Sequence, residues 1–237
     1  MNYLIFGATN DLGIELIKEI QTNDDNSYLI ISLSSQKSKL QIEPLLNKIN
    51  IKHEFIVCDF NNLNYEIIDS LKNKKIDHIY YLSAYTDIEF GKVSNEYLHK
   101  SLNINCNSIL KINNYLLEKI QNDTCSVNFI SSIATSIPKK KNYIYASSKL
   151  MLENYFKSLM MYFNFKKPFF KIYRLGYLSN KNMKKKFLSA DCNKVAKFIY
   201  KCQNEKKSKL YYFPGFWRII IYILLILPKT LINKINP

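Results

Sequence analysis

Apolar residues in this chain gather in short continuous runs at 3–6, 28–33, 55–58, 76–82, 127–131, 169–174 and 209–213. Runs of four to seven residues without polar alternation suit strands that are covered on both faces. Between them, 14–20 (IELIKEI), 64–72, 93–120, 145 to about 163 and 191–203 repeat their apolar positions at helical spacing. Strand and helix alternate as far as residue 213. The pattern therefore predicts an α/β protein with a Rossmann-type, doubly wound parallel sheet and helices on both faces. One domain is expected over 1–213, followed by an apolar, basic-flanked tail at 214–237. No internal repeat interrupts it.

The first run passes directly into Gly7-Ala8-Thr9-Asn10-Asp11-Leu12-Gly13 and then into the helical pattern. Strand, glycine turn and helix form the context in which such a loop receives a dinucleotide pyrophosphate at the helix N-terminus. Gly7 allows the tight turn and Gly13 the close packing of helix on backbone. Thr9, Asn10, Asp11 and Leu12 complete the expected cofactor loop. The second run ends in Ser34 and Ser35 with Lys37 and Lys39 close behind, and no carboxylate stands there. An acidic side chain at that point would hold a free ribose 2'-hydroxyl, whereas hydroxyls and lysines suit a 2'-phosphate. NADP is expected over NAD.

The stretch NFISSIATSIPKKKNYIYASSK at 128–149 carries the candidate chemistry. Ser132 ends a strand-like run, Tyr145 follows thirteen residues later, and Lys149 stands four beyond. On a helix those last two share a face. A phenol has an ordinary pKa of about 10, and a neighbouring ammonium is expected to bring it toward the working range. Tyr-x-x-x-Lys alone means little, because Tyr115/Lys119, Tyr162/Lys166 and Tyr177/Lys181 repeat it. Its weight comes from the serine and from the dinucleotide loop.

Together these positions resemble the short-chain dehydrogenase/reductase family over about residues 1–213. The match departs from the family at Asp11, where a glycine is usual, and at Leu82-Ser83-Ala84-Tyr85, which stands for Asn-Asn-Ala-Gly. Arg174-Leu175-Gly176 resembles its Arg-Pro-Gly. The resemblance implies that Tyr145 exchanges the hydroxyl proton while Ser132 orients the substrate oxygen. It further implies that Lys149 holds the nicotinamide ribose and that Asn105 holds a water of the proton relay. Asp59 and Phe60 would meet the adenine; Ser83, Ala84 and Gly176 would be further cofactor contacts. A homodimer or homotetramer built on the 93–120 and 145–163 helices is also implied.

Composition narrows the partners. The formal charge of +15 asks for an anionic one, but no nucleic-acid recognition motif accompanies it. Five dispersed cysteines and three scattered histidines suggest neither a disulfide framework nor a metal site. The first strand begins at once, without a leader, so a cytoplasmic protein is expected. The segment 179–190 is short, which implies an open site. Lys139, Lys140 and Lys141, with Lys184, Lys185 and Lys186, would rim it and attract phosphate. In the tail, 219–227 is an apolar run of nine residues, too short to span a bilayer, which takes about 20. Aromatic and basic flanks there suit peripheral membrane contact through 213–229, at the inner face of the cytoplasmic membrane. The tail and open site are also similar, more loosely, to the ketoreductase partner of decaprenylphosphoryl-ribose 2'-epimerase. The expected substrate is therefore a keto-sugar or other ketone on a lipid or phosphate carrier in cell-envelope glycan synthesis. A soluble reductase of a small ketone or acyl thioester, with the tail as a subunit contact, is the alternative. A dinucleotide-sensing protein without turnover is a third reading, against which the intact Ser132, Tyr145 and Lys149 argue.

Overall fold

The computed structural model describes residues 1–87, 91–179 and 189–228. Its elements follow in chain order as β1 (Asn2–Phe6), α1 (Asp11–Asn23), β2 (Tyr28–Leu33), α2 (Gln36–Ile49), β3 (Lys52–Val57), α3 (Tyr65–Lys72) and β4 (His78–Tyr81). Next come α4 (Asn95–Leu102), a π-helical turn (Asn103–Asn107), α5 (Ser108–Tyr115), α6 (Leu117–Asp123), β5 (Ser126–Ser132) and a 3-10 turn (Ile133–Thr135). The remainder is α7 (Tyr143–Tyr162), β6 (Phe169–Leu175), β7 (Leu178–Ser179), β8 (Ala190–Asp191), α8 (Cys192–Gln203), β9 (Lys209–Phe213) and α9 (Trp217–Ile226).

Seven strands make one parallel sheet in the order β3-β2-β1-β4-β5-β6-β9, and β7 pairs with β8 apart from it. The inner strands β1, β2 and β4 are apolar on both sides because helices cover both faces, whereas the edge strands β3 and β9 are only partly buried. Leu12, Leu16 and Ile20 of α1 pack with Ile42 and Leu46 of α2 and with Val195 and Ile199 of α8 on one face. On the other, Ile68 of α3 meets Ile109 and Ile112 of α5 and Leu152 and Phe156 of α7. This is the doubly wound single domain that the alternation of runs predicts.

Strand order reverses between β1 and β4, the place where such sheets open a crevice at their carboxyl ends. The register pairs Phe6 with Tyr81. Gly7 and the stretch from Leu82 onward therefore leave the sheet side by side.

Three elements differ from expectation. Helix α2 has no counterpart in the sequence reading, since only Ile42 and Leu46 are buried along its length and Pro44 lies inside it. The third strand starts at Lys52 rather than 55. The helical track expected over 93–120 is broken by the π-helical turn and again at Leu116.

Candidate active site

The crevice at the strand reversal is a cleft of about 230 Å³, lined on one side by Gly7, Thr9 and Asn10 and on the other by Ser83, Ala84 and Tyr85. Ser34, Asp59 and Phe60 close its far end. Gly7 has φ +82°, and a Cβ there would stand 2.6 Å from the Ser83 backbone nitrogen. Only glycine leaves that wall clear. Asn10 caps α1: its Oδ1 accepts from Gly13 N at 2.8 Å while its Nδ2 donates to the Leu82 carbonyl at 3.0 Å. The cap, worth about 1 kcal/mol in comparable helices, thus also ties the first loop to the fourth.

Other expected cofactor residues stand outside the lining. Leu12 is buried in the core beneath α1, so its side chain packs the helix. Gly13 serves packing too, as a Cβ there would meet the Ala8 carbonyl oxygen at 2.7 Å. Asp11 is exposed at the first turn of α1. Ser35 and Lys37 are exposed at the start of α2. Ser34 and Ser35 each share a hydrogen bond with Ser38, at 3.2 and 3.1 Å, which gathers three hydroxyls at the end of β2.

Ser132 ends β5 and Tyr145 lies in the first turn of α7, close enough that the serine hydroxyl acts on the phenol. The Ser132 hydroxyl also accepts from Ala134 N at 3.1 Å, which fixes its direction. Lys149 is fully buried one turn beyond Tyr145. Its Nζ donates to the carbonyls of Ser83, at 3.1 Å, and Ile130, at 3.2 Å, and lies 5.1 Å from the centre of the Phe129 ring. Asn105 is buried in the π-helical turn, where its Oδ1 accepts from Tyr85 N and its Nδ2 donates to the Tyr85 carbonyl, both at 2.7 Å. Such single π turns inside helices often mark functional positions. Here the turn aims the asparagine at the loop after β4.

These contacts account for the unusual Leu82-Ser83-Ala84-Tyr85. Asn10 holds the carbonyl of residue 82, Lys149 that of 83 and Asn105 that of 85. All three grips are on backbone, so they do not depend on which side chains that stretch carries.

One expectation is reversed. Burial pushes the Tyr145 phenol above its ordinary pKa, and the Ser132 hydroxyl offsets only part of that. Lys149 spends its donors on two carbonyls, and burial brings its own pKa down to about 8. Desolvation disfavours both charged forms.

No protein-family model matches the sequence, and neither does any curated protein. Solved structures do match. A short-chain dehydrogenase from Streptomyces avermitilis is 16% identical over 94% of this chain and 92% of its own, with a TM-score of 0.77. ElxO with NADP bound is 17% identical over 91% and 98%, at 0.76. An alcohol dehydrogenase from Thermococcus sibiricus, complexed with 5-hydroxy-NADP, is 11% identical over 89% and 94%, at 0.73. The chain has the short-chain dehydrogenase fold.

Within that fold, two features escaped the sequence reading. Glu153, one turn past Lys149, is buried among four donors. Arg174 Nη2 meets its Oε1 at 2.6 Å and Arg174 Nε its Oε2 at 3.0 Å; Lys157 and the hydroxyls of Ser131 and Thr135 complete the set. Burial alone would raise its pKa, yet the bonds from Arg174 and Lys157 prevail and hold it below the usual carboxylate value. Ser131 and Thr135 flank Ser132, so this ion pair braces the strand end and turn that carry the serine. Arg174 continues to the Tyr212 hydroxyl at 2.8 Å. The second feature is at Gly176, whose N–H donates to the Phe213 carbonyl at 2.9 Å and whose open side is filled by the Trp217 indole. The glycine there admits a tryptophan of the tail. Lys184, Lys185 and Lys186 lie outside the described residues.

Proposed function

We propose that this chain is an NADP-dependent oxidoreductase of the short-chain dehydrogenase/reductase type, reducing a ketone or oxidising the corresponding secondary alcohol. The observation that carries the reading is the Ser132 hydroxyl beside the Tyr145 phenol, with Lys149 one turn on and touching the wall of the glycine cleft. Two hydroxyls converging on one substrate oxygen suit carbonyl chemistry. Tyr145 Oη gives its proton to that oxygen in reduction and takes it back in oxidation. Ser132 donates to the same oxygen and stabilises the charge developing there. Lys149 presents a cation beside Ser83, where the ribose of a bound dinucleotide would lie. Asn105 keeps the loop of Ser83, Ala84 and Tyr85 in place. Bound NADPH supplies the hydride.

The cleft fits that cofactor. Gly7 leaves room that any Cβ would take, Asp59 and Phe60 stand at the adenine end, and the serines after β2 with exposed Lys37 suit a 2'-phosphate. Binding of NADP and 5-hydroxy-NADP by two proteins of the same fold supports this choice.

For the substrate we infer a keto-sugar or other ketone on a lipid or phosphate carrier, handled in cell-envelope glycan synthesis in the cytoplasm. Lys139 supports an anionic group: it sits half-buried in the loop before Tyr145. Exposed Leu150 and Met151 on α7 support a homodimer or homotetramer formed through that helix.

Turnover tests the reading. With NADPH and polyprenyl-phosphate keto-sugars, loss of the reduced-nicotinamide absorbance should depend on Tyr145. Tyr145→Phe should slow it by about 10²–10⁴-fold, the usual share of a positioned acid, and Ser132→Ala by about 10²-fold. Unchanged turnover in Tyr145→Phe would remove the assignment.

A further inference from the structure

Helix α9 turns its apolar side outward. Trp217, Ile220, Ile221 and Leu224 form its inward line, and of the helix only Ile221 is buried. On the outer side, Ile219 is 65% exposed, Tyr222 67%, Ile223 48%, Leu225 62% and Ile226 68%. Arg218 stands among them, also exposed. A helix that simply packs on a soluble domain carries polar residues there. An open groove of about 590 Å³ runs between this helix and Tyr212. None of the described helices is long and apolar enough to cross a membrane.

Charge distinguishes among the surfaces that could cover such a face. After Glu205 the sequence holds no acidic residue and six cations: Lys206, Lys207, Lys209, Arg218, Lys229 and Lys234. Lys207 is paired with Glu205 at 2.7 Å, and the last two lie outside the described residues. A second copy laid symmetrically on α9 would bring like charges together. Arg218 is the described cation on the exposed face of α9, and an anionic lipid surface would satisfy it and the apolar side chains at once.

The position of the helix adds a reason for such contact. Ser132 and Leu175 are register partners across β5 and β6. Gly176 follows Leu175, and Trp217, the first residue of α9, packs on Gly176. The exposed helix therefore starts next to the strand end that carries the catalytic serine.

We propose that α9 lies in the interface of an anionic bilayer, with Ile219, Tyr222, Ile223, Leu225 and Ile226 in the acyl boundary and Arg218 at the headgroups, so that the site opens onto the membrane. That the surface delivers a carrier-linked ketone rests on the function proposed above; the docking itself does not.

The test uses the full chain with phosphatidylcholine vesicles, with and without phosphatidylglycerol, scored by co-sedimentation. Ile223→Glu and Arg218→Glu are the variants, since both side chains face solvent, and NADPH binding and gel filtration are measured on each. The expected result is sedimentation with phosphatidylglycerol vesicles, reduced about tenfold in either variant and by high salt, with NADPH binding unchanged. Absence of sedimentation overturns the proposal, as does equal binding to neutral vesicles. So does an Ile223→Glu chain that changes only from oligomer to monomer, which would make a second copy the occupant. Vesicle binding without NADPH binding would keep the docking and remove the oxidoreductase reading; NADPH binding without vesicle binding would do the reverse.

Discussion

Burial holds Lys149 at a pKa of about 8, so its ammonium is present at about pH 7 and mostly lost by about pH 9. A lowered lysine pKa means that the charged form disappears as pH rises through that value. Affinity for NADPH should therefore weaken between those two pH values in the native chain and stay flat in Lys149→Met, as isothermal titration would record. The reversed direction at Tyr145 has the same origin. Spacing puts phenol and ammonium on one helical face, but it carries no information on how deeply that face is buried or which carbonyls claim the lysine. Glu153 and Arg174 were out of reach for a related reason, since 21 residues separate partners that meet only when β6 joins β5.

At the scale of elements, the strands were legible because a sheet covered on both faces favours short, mostly apolar runs. Helix α2 was not, since a helix at the sheet edge buries too little to show a stripe. The π-helical turn was invisible because helical periodicity continues on both sides of it, so Asn105 could be placed in a helix but not aimed. Strand β4 carries a pH dependence of its own. His78 opens it, buried, with Nδ1 bonded to Ser126 Oγ at 2.7 Å. Burial lowers its pKa from 6.5 to about 4, with Asp77 and Lys171 acting in opposite directions. The folded state thus excludes a proton that the unfolded chain binds, so stability is intact above about pH 6.5 and is lost as pH falls toward 4. The loss amounts to about 3 kcal/mol. Glu153, held below its ordinary value of 4.5, adds its loss only at lower pH. Chemical denaturation should show native stability falling between about pH 6.5 and pH 4.5, with a much smaller slope in His78→Asn.

For the molecule as a whole, the sheet order, the cleft at its reversal and the pair Ser132–Tyr145 form one arrangement, and each part was foreshadowed by a motif in its place along the chain. The tail was legible as apolar and basic, but not as a helix anchored on Gly176, since Gly176 and Trp217 are 41 residues apart in the chain. The central claim is that this arrangement binds NADPH and uses it. Fluorescence titration of NADPH and NADH into the purified chain, beside Tyr145→Phe and Lys149→Ala, tests it most directly. The account predicts tighter binding of NADPH than of NADH, retained in Tyr145→Phe and weakened about tenfold or more in Lys149→Ala, as loss of a charge-assisted hydrogen bond implies. Failure of the native chain to bind either nucleotide would contradict it.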